Sequence, residues 1–336
     1  MEQGSLKERV LDRSVLKHVK KQNSVMSAGP LIGQDYAALD MKKAGEKTRD
    51  DMQLIMTEAV AAAPYIAWTK AMNNFACSGG TPQGVRLTFL LPEEAAEQDI
   101  KRYMQKFISL AEQTGISIMG GHTQVDSAFA KARFQVTVLG TASVLCQNIA
   151  AIQPGYDIVM TKEAGLLGTD LLARRTGKKL SARFAGSYIE GAYREERDCS
   201  IVPEAQAVCA CAGQEPVYYM HDVSCGGVYA ALWQLAVRIG RGIEIEHTAI
   251  PIRQETIEIC EYYGINPYML EGTGSLLVVA EDGRALADRL IGRGISAAVV
   301  GRVAENNDKV IYINEVEKRY LTPVSGDEIY KVLSDI

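Results

Sequence analysis

The sequence predicts a mixed chain of the α+β (α/β mixed) class in two parts, and three observations carry that reading. Apolar runs of strand length alternate with longer segments of helical periodicity from one end to the other. Pro154-Gly155 punctuates the middle. A chain of 336 residues with 47% hydrophobic content is long enough for two domains of ordinary size. We place the division at residues 1–152 and 153–336.

The elements follow in order. Leu6, Val10, Leu11, Val15 and Leu16 share one face and predict a helix over 6–21. Residues 31–39 read as a loop entering a strand, and Met52 to Met56 as a second strand. A small-residue helix is expected near 64–78, then the strand Val85 to Leu91, which Pro92 ends. The pattern from 93 to 114 is a helix. A strand over 116–119 leads into Gly120-Gly121 as a loop, and Phe134 to Ala142 completes the first half. In the second half, strands are expected at 157–161, 217–220, 243–246, 276–280, 297–299 and 310–313. Helices are expected at 166–175, 203–211, 227–239, 253–263, 284–292 and 326–334, with 177–198 unassigned.

Composition excludes several classes. The formal net charge is −5 and the Lys and Arg residues are scattered, which argues against a nucleic-acid surface. No apolar run approaches the ~20 residues that span a bilayer, and Met1 to Arg9 lacks a signal-peptide core. A soluble cytoplasmic protein is expected. The 7 cysteines, an odd number set in apolar or helical contexts, read as reduced thiols rather than a disulfide framework. Cys209 and Cys211 have neither a second pair nor a nearby histidine to complete a zinc site.

Two glycine-rich segments carry the chemistry. Gly120-Gly121-His122-Thr123 and His221-Asp222-Val223-Ser224-Cys225-Gly226-Gly227 each follow a strand-like run. Gly-Gly lets backbone N–H groups approach an anion, and the second pair leads into a helix whose N-terminus favours negative charge. Both are also compatible with plain tight turns. Lys162, at a strand end before Gly165 and Gly168, suits a phosphate partner or simple exposure. Asp35 is read as a metal carboxylate or a turn cap.

In sequence order, Gly33-Gln34-Asp35-Tyr36-Ala37, Thr57-Glu58-Ala59-Val60, Asn73-Asn74, Gly120 to Thr123, Thr161 to Thr169, His221 to Gly227 and Gly272 to Leu277 resemble the AIR (aminoimidazole ribonucleotide) synthase superfamily. Its hydrogenase-maturation HypE-like branch is the nearest, with selenophosphate synthetase and thiamine-monophosphate kinase further off. The resemblance implies a two-domain fold, with an N-terminal sheet domain that forms a barrel-like dimer interface and a ferredoxin-like C-terminal α/β domain. It also implies a homodimer, ATP with magnesium, and phosphoryl transfer or dehydration on an amide or acid. The substrate would be an unidentified small molecule or protein-bound group.

Residue by residue, the resemblance implies magnesium on Asp35, Glu58 and Asp222. His122, His221 and Asp222 would take catalytic roles. Gly120, Gly121, Thr123, Lys162, Gly226, Gly227 and Asn74 would contact the nucleotide. Two departures matter. Glu58 stands where relatives commonly carry Asp, and Asn74 replaces the Asp of an Asn-Asp pair, exchanging a carboxylate for a neutral amide. A catalytically weakened nucleotide-binding or maturation-complex protein is therefore the alternative reading, with a purely structural dimer partner as the third. The last cysteine is Cys260 and the first Cys77, which argues against self-carbamoyl dehydration at a C-terminal cysteine and against selenophosphate synthesis.

Overall fold

The computed structural model describes residues 8–18, 26–28, 31–43, 52–142, 148–211, 216–324 and 326–333. Two compact units emerge. One gathers the described residues of 23–29 and 35–145, the other those of 1–22, 30–34 and 146–335. The described chain begins with helix α1 (Glu8–Ser14), which belongs to the second unit. The 6–21 helix shortens to this element and one 3-10 turn at Leu16–His18, and its outer parts lie outside the described residues.

The first unit is a six-stranded sheet of β1 (Met26–Ala28), β2 (Ala37–Asp40), β3 (Gln53–Ala61), β4 (Thr81–Leu91), β5 (Ser117–Val125) and β6 (Arg133–Ala142), in spatial order β1-β2-β3-β6-β4-β5. Helices α2 (Pro64–Ala76) and α3 (Glu97–Thr114) cover one face. Pro64 opens α2, where its missing N–H costs nothing. The α3 helix starts later than its periodicity suggested. Pro92 to Ala95 forms a turn first, Asp99 then accepts the Ala96 N–H at 3.2 Å, and Gly115 closes the helix in the left-handed region. Phe89, Phe107 and Phe134 pack ring to ring at 5.3–5.8 Å beneath Trp68.

One expectation is corrected here. Gly120-Gly121-His122-Thr123 is not a loop. The four residues lie inside β5, an exposed edge strand paired parallel to β4. Their glycines serve strand packing: a Cβ on Gly121 would stand 1.9 Å from the Leu87 carbonyl oxygen.

The second unit holds a seven-stranded sheet built from β7 (Asp157–Thr161), β8 (Val217–Val223), β9 (Ile243–Glu246), β10 (Ser275–Ala280), β11 (Ala297–Val303), β12 (Lys309–Tyr312) and β13 (Lys318–Tyr320). Its spatial order is β13-β12-β9-β11-β7-β10-β8. All pairings are antiparallel except β9 with β12. The connecting helices are α4 (Leu166–Leu180), α5 (Gly186–Gly191), α6 (Val202–Cys211), α7 (Gly227–Ile239), α8 (Gln254–Tyr263) and α9 (Gly283–Ile291). Every residue of β10 is buried, as a continuous apolar run between two strands requires. Leu232 and Leu235 of α7 meet Tyr219, Leu277 and Val279 in the core.

Further corrections concern termini and short elements. The 326–334 helix is a single 3-10 turn at Glu328–Lys331, while α5 and β13 carry too little periodicity to be foreseen. Among the described residues, no helix is long and apolar enough to cross a membrane.

Candidate functional site

Four of the sequence motifs converge within the second unit. Strand β8 delivers His221 and Asp222, both buried at 3% and 6% exposure, to its C-terminal end. The chain then turns through Ser224 to Gly227 into α7. Gly226 and Gly227 both hold positive φ, and a Cβ on Gly227 would meet the carbonyl oxygens of Tyr268 and Leu270 at 2.6 Å, so only glycine fits. The Gly272 N–H donates to the Ser224 carbonyl at 3.0 Å, and the Gly168 N–H to the Glu271 carbonyl at 2.8 Å. These backbone bonds lock the segments 161–169, 221–227 and 271–277 together.

The fourth motif docks from far away in sequence. The Tyr219 hydroxyl donates to the Gly33 carbonyl, and Arg238 of α7 holds Gln34 Oε1 with Nε at 3.0 Å and Nη2 at 2.7 Å. Asp35, half-buried, is the next residue along the chain. His221 stacks on Tyr219 and shares a 3.0 Å hydrogen bond through Nε2 with Gln234 Oε1; since a carbonyl-type oxygen only accepts, Nε2 is the donor. His221 is thereby fixed in orientation.

Two expected ligand groups already have protein partners. The N–H of Gly226, at the N-terminus of α7, donates to Asp327 Oδ2 at 2.6 Å. The anion at this helix end is thus a carboxylate of the chain itself. Asp327 Oδ1 also accepts the N–H of Glu271 at 3.0 Å and of Ile329 at 2.9 Å. Asp327, Glu271 and Cys225 place one ligand-type atom each within 4.8 Å of one another. Burial first, then the neighbouring Glu271 charge, push the Asp327 carboxyl up to about 7, against the pull of its N–H donors.

Lys162 is the second. Among the described residues it is the non-glycine one at positive φ, +53°, and its ammonium meets the Asp198 carbonyl at 3.0 Å, the Ser200 carbonyl and Glu204 Oε1 at 3.0 Å. All three of its donors have acceptors. Sequence reasoning missed Asp327, Glu271 and Glu204. Asp327 carried only the signal of a residue capping a short turn, and nothing local announced its burial.

In the first unit the proposed residues are spread out. His122 is exposed on β5, in register with Thr88 of β4. Glu58 is exposed and accepts the Gln135 amide at 2.8 Å. Its neighbour Thr57 points the other way, bonding the Ala71 carbonyl of α2, so Glu58 projects from the sheet face opposite α2, which carries half-buried Asn74. Asp35 and Asp222 each carry a carboxylate, a ligand type that suits a hard cation such as magnesium.

A mixed sheet with a buried His-Asp pair leading into a glycine turn and helix, joined to the 161–169 and 271–277 segments, defines a two-domain protein of AIR-synthase type. The family models agree. The N-terminal domain of AIR synthase related proteins matches residues 49–142 and the C-terminal domain matches 153–314. The chain belongs to the AIR synthase related family.

Among curated relatives, the carbamoyl dehydratase HypE of Rhodobacter capsulatus is 29% identical over 255 residues, 73% of this chain and 71% of that protein. Two solved structures share the fold. One is of a HypE–HypF complex, with a TM-score of 0.74 at 16% identity over 93% of this chain and 99% of that one. The other is HypE in complex with ATP, with a TM-score of 0.68 at 18% identity over 97% and 96% of the two chains.

Proposed function

We propose that the protein binds ATP and uses it for phosphoryl transfer to, or dehydration of, an amide or acid oxygen of a small or protein-bound substrate. The convergence of segments 31–34, 161–169, 221–227 and 271–277 around buried Asp222 carries this reading, because these are the motifs by which the chain resembles ATP-using relatives. Magnesium is assigned to the carboxylates of Asp35 and Asp222. When bound, it would neutralise phosphate charge. His221, held by Gln234 and Tyr219, keeps a fixed ring beside Asp222. Gly120, Gly121 and Thr123 of β5 are proposed as nucleotide contacts, as are Gly227 and Asn74, and His122 as a catalytic donor or acid.

The protein is proposed to act as a homodimer. Strand β5 is an edge with its residues largely exposed, and Met119 and Val125 on it are both 53% exposed, an edge that a second copy would cover. One observation favours the weakened-enzyme alternative: Asn74 offers an amide where a carboxylate is expected, which lowers attraction for the cation.

Calorimetric titration with a non-hydrolysable ATP analogue, with and without magnesium, tests the reading. Magnesium-dependent binding that is lost in Asp222→Asn is expected. New or faster ATP hydrolysis in Asn74→Asp would establish the weakened-enzyme alternative, and absence of nucleotide binding in the wild-type chain would overturn both.

A further inference from the structure

A cavity of about 450 Å³ opens in the second unit beside the start of α4, and charged side chains of both signs line it together with Leu166, Ser200 and Pro203: Lys162, Arg194, Arg197 and Arg253 against Glu163, Asp198 and Glu204. Several of these charges are already matched. Lys162 pairs with Glu204 on the floor. Arg253 is chelated by Glu255, through Nε at 3.3 Å and Nη2 at 3.1 Å, and Arg197 pairs with Glu195 at 2.8 Å. The Asp198 carboxylate accepts the Glu195 N–H at 2.9 Å.

What remains has opposite signs at two places. Arg194 spends Nη1 on the carbonyls of Gly191 and Tyr193 at 3.0 and 2.7 Å, which leaves the rest of its planar fork for a carboxylate. Burial first, then the nearby Arg253 charge, lower the Arg194 pKa against the opposing pull of the Glu163, Glu255 and Asp198 carboxylates, so this guanidinium is partly desolvated. On the floor, Glu204 is 5% exposed, and its Oε2 is buried with no hydrogen-bond donor among the described residues. A buried carboxylate oxygen without a donor is costly. Glu163, half-buried, adds a second acceptor on the wall.

We propose that this cavity binds a small zwitterion of the α-amino-acid class, its carboxylate on Arg194 and its ammonium toward Glu163 and Glu204. A free phosphate satisfies only the Arg194 end and meets two carboxylates at the other. A simple amine leaves Arg194 unmatched. The near balance of charge in the lining therefore selects a ligand that carries both poles. The proposal stands on this cavity alone, independently of nucleotide binding.

Saturation-transfer NMR and calorimetry on the full chain test it, using the common α-amino acids at millimolar concentration, the matching deaminated acids and decarboxylated amines, and inorganic phosphate. We expect binding of at least one amino acid, with loss of either pole weakening affinity about tenfold or more. Arg194→Met is expected to weaken that binding about tenfold or more while leaving ATP-analogue affinity unchanged. Arg253→Met serves as the second variant and is expected to weaken it less. Absence of amino-acid binding, equal binding of phosphate or of either one-pole analogue, or unchanged binding in Arg194→Met would each overturn the proposal, whatever the result with ATP.

Discussion

Replacing Asp327 by alanine removes the acceptor of three backbone donors at once. The N–H groups of Gly226, Glu271 and Ile329 reach its two oxygens at 2.6, 3.0 and 2.9 Å, and Asp327 is only 5% exposed. Water has little access to replace it. At ~1 kcal/mol or more for each buried donor left unpaired, the loss is about 3 kcal/mol. Part of this returns at high pH. A carboxyl whose folded-state pKa is raised from 3.8 to about 7 contributes stability that is present below pH 4 and declines as pH rises through 7. The gap between wild type and Asp327→Ala is therefore larger at pH 5 than at pH 8.

The two tryptophans make the assay specific. Trp68 lies in α2 of the first unit and Trp233 in α7 of the second, so urea unfolding followed by fluorescence in a Trp68→Phe background reads the second unit through the helix that Asp327 caps. A loss below about 1 kcal/mol at pH 5, or a gap that widens toward pH 8, would refute the reasoning.

Three other outcomes are expected. Gly227→Ala forces a Cβ to within 2.6 Å of two carbonyl oxygens at a φ of +65°, and should lower stability by about 2 kcal/mol or more, read as a drop in thermal midpoint. Lys162→Met strands the Glu204 carboxylate, whose side chain is 7% exposed, and is expected to cost about 3–5 kcal/mol in the second unit, whereas Lys162→Met combined with Glu204→Leu should recover much of it. Phe134→Ala removes a ring that is 0% exposed and touches Phe89, Tyr103 and Phe107. Its cost of about 3–5 kcal/mol should appear in Trp68 fluorescence unfolding and leave the Trp233 transition in place.

Much of the architecture was legible in the residues alone. Helical and strand periods located α2, α4, α7 and most strands of both sheets, because each of these elements buries one face and its apolar spacing records that burial. The motif order identified the superfamily. Local pattern failed where the cause was not local. Gly120-Gly121 looks like a phosphate loop, since a glycine pair reads the same whether it meets an anion or, as here, the Leu87 backbone across a parallel strand pair. The strand β13, three exposed residues long, has no buried face to leave a signature.

The amino-acid sequence by itself determined the α+β class and the residue types available for phosphate and cation chemistry, because these depend on spacing and composition. Tertiary structure alone decided which of those groups are still available to a ligand. Lys162 is held by Asp198, Ser200 and Glu204, between 36 and 42 positions away, and the Gly226 N–H by Asp327, 101 positions on. A charge or a backbone donor has the same identity in any chain, but its partner is set by which distant segment the fold brings within 3 Å.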